Sequence, residues 1–443
     1  MFAGYDSLEC GGNSLISNST CYGDVTAFTS TVAICNERHL VNASDLVEIT
    51  GSLRLTFLLS DITALSFENL AVIRQDLYVA DVDATTTRLS FPSLVNVSGD
   101  ITFSSALIET VELSALRACG SLSASTSGGT TNLYFPVLEE VSGAMSFSGS
   151  AIRTIELPSL LVIGGSASFS SLYNIGSSIA MPAVRTIGGG LSITSLCHYA
   201  DSDDTHASGS IDINSLESIG GMFYMYRTNI YDWSSCRVTL VNASRLQTLG
   251  SLYFRDVDGV TAVSMPSLTS THGQLYIAEG YVNALTTVSF GSLTTVEGNL
   301  YMSSLSALTT MAFDSLTTVE GYLQMSSASA LTTMTFDSLA TVEGYFYISG
   351  CTQLGTAYFN SLTSVGVDLS DDTSGSDYYS YYSASQTTVS CDVSGESENV
   401  CIRDNSVLEM VSFRSLDYSS SDIATPSGAQ LSSIVDLTTI FDA

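Results

Sequence analysis

The sequence predicts an all-β fold, a parallel β-solenoid of leucine-rich coils about 23 residues long, and three observations carry that expectation. The first is a fixed period. LTTVSFGSLTTVEGNLYMSSLSA from Leu285 recurs as LTTMAFDSLTTVEGYLQMSSASA from Leu308 and LTTMTFDSLATVEGYFYISGCTQ from Leu331, and LGTAYFNSLTSVG follows from Leu354. These starts lie 23 residues apart, the mark of a chain that folds by stacking like units on one another. The second is alternation. Leu300 and Met302 flank Tyr301, and short runs rich in Val, Thr, Tyr and Phe are broken by Gly or Ser, as in brief strands joined by turns. The third is size. A unit that already holds about three strands has no room for a full helix, so its coils stack ~4.8 Å apart, the ordinary spacing between paired strands.

Taken in order, residues 1–45 lack the repeat and carry Cys10, Cys21 and Cys35, which fits a Cys-rich cap over the open edge of the first coil. The repeat occupies 46–365. Its V-x-G-x-L-x-I core appears as ITGSLRL at Ile49, VSGDITF at Val97, IGGSASF at Ile163, IGGGLSI at Ile187 and THGQLYI at Thr271 before the near-identical copies. A Gly column (among them Gly51, Gly99, Gly165, Gly298, Gly321 and Gly344) marks either a turn with φ > 0 or a place with no room for a side chain. Pro92, Pro136, Pro158, Pro182 and Pro266 share one repeat position, held later by Gly291, Asp314, Asp337 and Asn360. These residue types share a liking for turns, so that position is a corner. From Gly189 to Gly221 is 32 residues and from Gly221 to Gly250 is 29, so two coils carry insertions, with Cys197, Cys236 and the single Trp, Trp233. Residues 366–443 read as interrupted last coils with a Tyr/Ser-rich insertion, then a C-terminal cap or assembly tail, SIVDLTTIFDA.

The charge is lopsided. Thirteen basic residues, all Arg, face 44 acidic ones for a net −31. Such a surface repels phosphate backbones and anionic lipid heads, so no nucleic-acid or membrane-surface partner is expected, whereas cations and basic partners are favoured. No apolar run approaches the ~18 residues of a membrane span. MFAGYDSLECGG has neither the basic start nor the apolar centre of a signal peptide, and LSSIVDLTTIFDA is too polar for a lipid-attachment tail. Nine Cys without a CxxC exclude zinc-type spacing, and their gathering toward the ends suits disulfide-stapled caps. Cys391 and Cys401 enclose nine residues and are expected to pair. Cys197 with Cys236 is a second candidate pair, and two of Cys10, Cys21 and Cys35 would close the N-cap. An odd count leaves at least one thiol over. Sequons at Asn18, Asn42, Asn96 and Asn242 point to N-linked glycans and an extracellular or cell-surface location.

Catalytic patterns are missing. There is no HExxH, GxSxG or P-loop, the absence of Lys removes Lys nucleophiles, and the glycines of IGGGLSI belong to the solenoid column, so no enzyme and no organic cofactor are expected. Calcium is the one metal with candidates. Asp201, Asp203, Thr205 and Asp212 fall at positions 1, 3, 5 and 12 of a calcium-loop spacing, although His206 stands where that loop needs Gly. Glu297, Glu320 and Glu343 share one repeat position and form a ladder that must be splayed into water, partly protonated or bridged by cations.

SLTTVEGNLYMSS and its copies resemble the receptor L-domain family, in the style of its fungal and protist cell-surface members, over about 46–365. The resemblance implies a right-handed β-helix with disulfide-bonded ends. No furin-like Cys-rich module or kinase pattern occurs in this sequence, so it implies the fold and not the receptor role. The expected function is a non-enzymatic structural glycoprotein that assembles with itself or with other matrix chains, as in a cell wall, filament or flagellar hair. Contacts are expected from 371–390, with Tyr378, Tyr379, Tyr381 and Tyr382, from 424–443 and from Trp233. A ligand-binding ectodomain using residues around 198–210, 226–237 and 371–390 is the alternative. An ice-binding solenoid is another, if Thr287, Thr310 and Thr333 line up on a flat face.

Overall fold

A computed structural model describes residues 46–56, 64–80, 87–104, 108–125, 131–172, 179–195, 211–226, 240–257, 260–278, 280 and 284–365, with the strands Ala27–Phe28, Val32–Ile34, Val400–Arg403, Met410–Ser412 and Ile423–Ala424. The fold is all-β, a parallel β-solenoid in which every resolved strand pairing is parallel. It divides into two compact units, Met1–Leu246 and Gln247–Ala443.

The second unit shows the coil at its most regular. One turn consists of a two-residue strand, Thr295–Val296, a four-residue strand, Leu300–Ser303, and a three-residue strand, Thr310–Ala312. Each pairs with its equivalents one period away: Thr295 with Ser270 and Thr318, Leu300 with Leu275 and Leu323, Thr310 with Thr287. The alternation seen in sequence becomes inward and outward facing. Leu300, Leu323 and Phe346 form one fully buried column and Met302, Met325 and Ile348 another, while Tyr301, Ser303, Gln324 and Ser326 point out half-exposed. A third inward column stacks Phe290, Phe313, Phe336 and Phe359, ring on ring, with centroids 5.4, 5.4 and 5.7 Å apart. Burying rings at this position in successive coils adds hydrophobic stabilisation to that of the Leu and Met columns.

The first unit repeats this plan with Asn96–Val97, Ile101–Ser104 and Thr110–Glu112 as a representative coil. Its three-residue positions make a separate seven-stranded sheet from Ala64–Ser66 to Ile211–Asp212. Strand pairing also reaches upstream of Leu46: Ala27–Phe28 lies beside Glu48–Ile49 and Val32–Ile34 beside Leu53–Leu55. In the second unit Val400–Arg403 pairs with Phe346–Ser349, Met410–Ser412 with Thr356–Tyr358, and Ile423–Ala424 with Val400–Cys401, so the repeat plan resumes after residue 399.

Corners explain the punctuation residues. Leu94 N–H donates to the Phe91 carbonyl, Leu316 to Phe313 and Leu339 to Phe336, each closing a four-residue turn whose second residue is the Pro92, Asp314 or Asp337 of the sequence pattern. Pro favours that turn position because its φ is already set. The Gly column answers the question left open by sequence: it marks close approach and not a left-handed backbone. A Cβ on Gly321 would lie 2.8 Å from the Gly298 carbonyl carbon, and one on Gly344 would lie 2.8 Å from Tyr322 N. Left-handed backbone instead recurs one residue after the four-residue strand, at Ser171, Ser195, Asp256, Ser304, Ser327 and Gly350, with φ from 50° to 67°. Thr-Thr pairs have a structural use as well. The first Thr of each pair donates its hydroxyl to a carbonyl of the preceding coil, Thr294 to Thr269 at 2.9 Å and Thr317 to Thr294 at 2.9 Å, adding a second hydrogen bond to a corner carbonyl that already accepts the backbone N–H of the same Thr.

Candidate interaction face

The expected site residues separate into those the structure places and those outside the described residues. Asn18, Asn42, Cys10, Cys21, Cys35, Cys197, Cys236, Cys391, Asp201, Asp203, Thr205, His206, Trp233, Tyr378, Tyr379, Tyr381 and Tyr382 lie outside them, as do the expected contact stretches apart from Tyr226 and Ala424. Cys401 and Asp212 lie in the described strands Val400–Arg403 and Ile211–Asp212.

Glu297, Glu320 and Glu343 do form the expected ladder. Each N–H donates to the carbonyl of Thr271, Val296 or Val319 one coil before, and all three side chains are exposed. His272 heads the column, with Nδ1 3.1 Å from Glu297 Oε1. Among the described residues no group of three or more His, Cys, Asp and Glu side chains is arranged to hold a metal. The three carboxylates of the ladder face solvent. The threonine row is shorter than expected: Thr287 pairs with Thr310 and Thr333 with Thr356, but the last two belong to a separate three-stranded sheet.

Among the described residues Cys119 and Cys351 are buried thiols. Cys119 occupies the inward place held by Val97 and Val141 in the neighbouring coils, and burial, with the Asp100 carboxylate beside it, pushes its thiol up to about 12. Cys351 takes the place of Leu305 and Ala328 and is likewise raised by burial. Both are core fillers with inert thiols.

The face that stands apart is built by the outward positions of the four-residue strands. None of the described four-residue strands, from Leu53–Thr56 to Val400–Arg403, contains an Asp or Glu, in a chain with 44 of them. In the first unit the outward residues are small hydroxyls at successive coils: Ser123 and Ser125, then Ser146 and Ser148, then Ser168 and Ser170, all in register. Ser123 Oγ donates to Thr102 Oγ1 at 3.2 Å. In the second unit the same position carries tyrosines. Tyr253, Tyr276 and Tyr301 stack with centroids 4.4 and 4.7 Å apart and planes within 7°, and beside them Tyr322 stacks on Tyr345 at 4.5 Å. Because each ring covers the next, the stack offers ring edges and hydroxyls to the outside. Burial, then the neighbouring phenols Tyr301 and Tyr253, raise the Tyr276 hydroxyl well above its ordinary range, with Arg255 opposing. Burial and Tyr322 raise Tyr345 in the same way. Sequence reading passed over this ladder, although L-Y-F, L-Y-I and L-Y-M at one repeat position carry it.

The other faces carry ion pairs and the described sequon residues. In the first unit the three-residue strands carry the Arg88–Glu112 pair at 2.5 Å, and Arg74–Glu48 and Arg117–Glu139 bridge coils at 2.5 and 2.6 Å. The described sequon residues, Asn96 on a two-residue strand and Asn242 on the three-residue strand Leu240–Asn242, both lie off the four-residue face. No known protein-family profile, curated protein or solved structure matches the chain. No helix among the described residues is long and apolar enough to cross a membrane.

Proposed function

We propose that this chain is a non-enzymatic, extracellular structural glycoprotein that assembles with copies of itself, the four-residue-strand face of each unit being a contact surface. The observation that carries this reading is that no described four-residue strand contains an acid on a chain of net charge −31, the exposed Asp76 and Asp100 standing one residue before their strands. Two such chains repel one another wherever carboxylates meet, and approach at least cost where there are none. The face is also self-complementary. A hydroxyl is both donor and acceptor, so a row of Ser, Thr and Tyr can bond to an identical row, and two identical solenoids share one spacing of ~4.8 Å from coil to coil. A partner related by a two-fold axis would meet the same residues at every step. The sequons at Asn96 and Asn242 lie on other strands, where glycans would leave the contact open.

The test is to place acids on the face. Ser146→Asp with Ser168→Asp should abolish association measured by mass in solution across rising protein and salt concentration, while Thr154→Asp, on the charged three-residue side, should leave it unchanged. Wild-type protein that stays monomeric at near-millimolar concentration, or a double variant that associates as wild type does, would sink the reading.

A further inference from the structure

We propose that the tyrosine stack of the second unit is an oxidative cross-linking site, at which Tyr276 couples to Tyr253 or Tyr301 and joins neighbouring coils through a dityrosine bond. The inference stands on geometry and is independent of self-assembly. Paired strands hold these three residues in register, with Tyr253 opposite Tyr276 and Tyr276 opposite Tyr301. Their rings are parallel within 7° at centroid separations of 4.4 and 4.7 Å, and all three are half-exposed, within reach of a diffusible oxidant. The parallel stacking of Tyr253 on Tyr276 brings the ring carbons beside each hydroxyl close as well. Pre-positioning of this kind converts an encounter between two radicals into a local event with a very high effective concentration, so coupling within the stack outruns coupling between chains.

The chemistry balances with one co-reactant, hydrogen peroxide acting through a haem peroxidase. Each of two phenols gives up one electron and its hydroxyl proton to become a neutral phenoxyl radical. The two unpaired electrons form a carbon–carbon bond between ring positions ortho to the hydroxyls. The hydrogen on each of those carbons then moves to the oxygen, restoring two phenols. Two hydrogen atoms have left the protein, and they reduce one hydrogen peroxide to two waters. Rotation of the rings about their Cβ–Cγ bonds brings the coupled carbons together while the strands keep their pairing. Because burial holds the hydroxyl of Tyr276 protonated, its proton leaves together with the electron.

The chain itself makes the products easy to assign. Cleavage after Arg and Glu places Tyr253 in 246–255, Tyr276 in 256–279, Tyr301 in 298–320 and Tyr322 in 321–343, each as the only tyrosine of its peptide. Dilute full-length protein treated with a haem peroxidase and hydrogen peroxide should yield 256–279 joined to 246–255 or to 298–320, lighter by two hydrogens and fluorescent as dityrosine. In Tyr276→Phe, which keeps a ring in the stack, both products should fall to background, while 321–343 remains joined to the Tyr345 peptide. Recovery of 256–279 unlinked while dityrosine forms elsewhere, a yield that climbs with protein concentration, or no dityrosine at all would overturn the proposal.

Discussion

Ser327 holds φ at 57° one residue past the strand Leu323–Ser326, a backbone shape that disfavours any side chain, and the equivalent residue one coil later is Gly350 at 67°. A left-handed residue with a Cβ costs roughly 1–2 kcal/mol, part of which Gly loses again through its freer unfolded chain. Ser327→Gly should therefore raise stability by roughly 0.5–1 kcal/mol, seen as a higher midpoint in thermal unfolding. Cys119 makes the opposite point about a residue already fitted to its place. Its thiol is raised from the ordinary 9.0 to about 12 and is 4% exposed, so between those values the folded chain keeps a proton that the unfolded chain releases. Its contribution is whole below about pH 9 and is lost as pH rises toward 12, up to about 4 kcal/mol at ~1.4 kcal/mol per unit. Cys119→Val, matching Val97 and Val141, should flatten that alkaline loss in urea titrations while leaving stability at neutral pH nearly unchanged.

Among the elements, the two-residue strand and the corner after it hold a column of like charge. Glu320 lies between Glu297 and Glu343, one coil away on either side, and all are exposed. Facing like charges destabilise paired strands by roughly 0.2–1 kcal/mol, so Glu320→Gln should stabilise by about that amount, and the gain should shrink as salt screens the row. Calcium should leave the midpoint of both proteins where it was. The period, the alternation and the Pro/Asp corner were legible because each repeats a local rule in every coil, and repetition averages out the exceptions. The left-handed position escaped notice for a physical reason: Ser304 and Ser327 fill it where Gly was awaited, while the Gly column serves to admit a neighbouring backbone. The tyrosine stack was hidden differently. Tyr276 and Tyr301 read as outward strand residues in their own coils, and only pairing across coils turns them into a stack.

For the whole molecule, the acidity expected from composition proves unevenly distributed. In 285–365 the acids are Glu297, Asp314, Glu320, Asp337 and Glu343, all exposed at corners, with no Arg or Lys among them. A composition cannot say on which side its charges fall. That information appears once the strands are assigned to faces, so the surface proposed around Ser146 and Tyr276 is not readable from composition, and the expected contacts at Tyr378, Tyr379, Tyr381, Tyr382 and Trp233 lie outside the described residues. In a stack whose members touch mainly their neighbours, association through one face should also strengthen with salt, as repulsion from the corner carboxylates is screened.

The near-identity of the coils starting at Leu285, Leu308 and Leu331 makes this stretch a ruler with interchangeable divisions. Excising 308–330 would rejoin the chain in phase: Phe290 would meet Phe336, Leu300 would meet Phe346, and Tyr301 would come to lie against Tyr347, from which Gln324 now separates it. The shortened protein should fold cooperatively, with the stack reduced by one step of ~4.8 Å and an unfolding slope reduced in proportion to the surface removed. The same interchangeability lets a growing chain pair one division out of step with little local penalty, since the inward residues nearly match. Slow refolding phases should accordingly disappear when a single coil of the three is made distinct from its neighbours, and the length of such a stretch is free to change by whole coils without new chemistry.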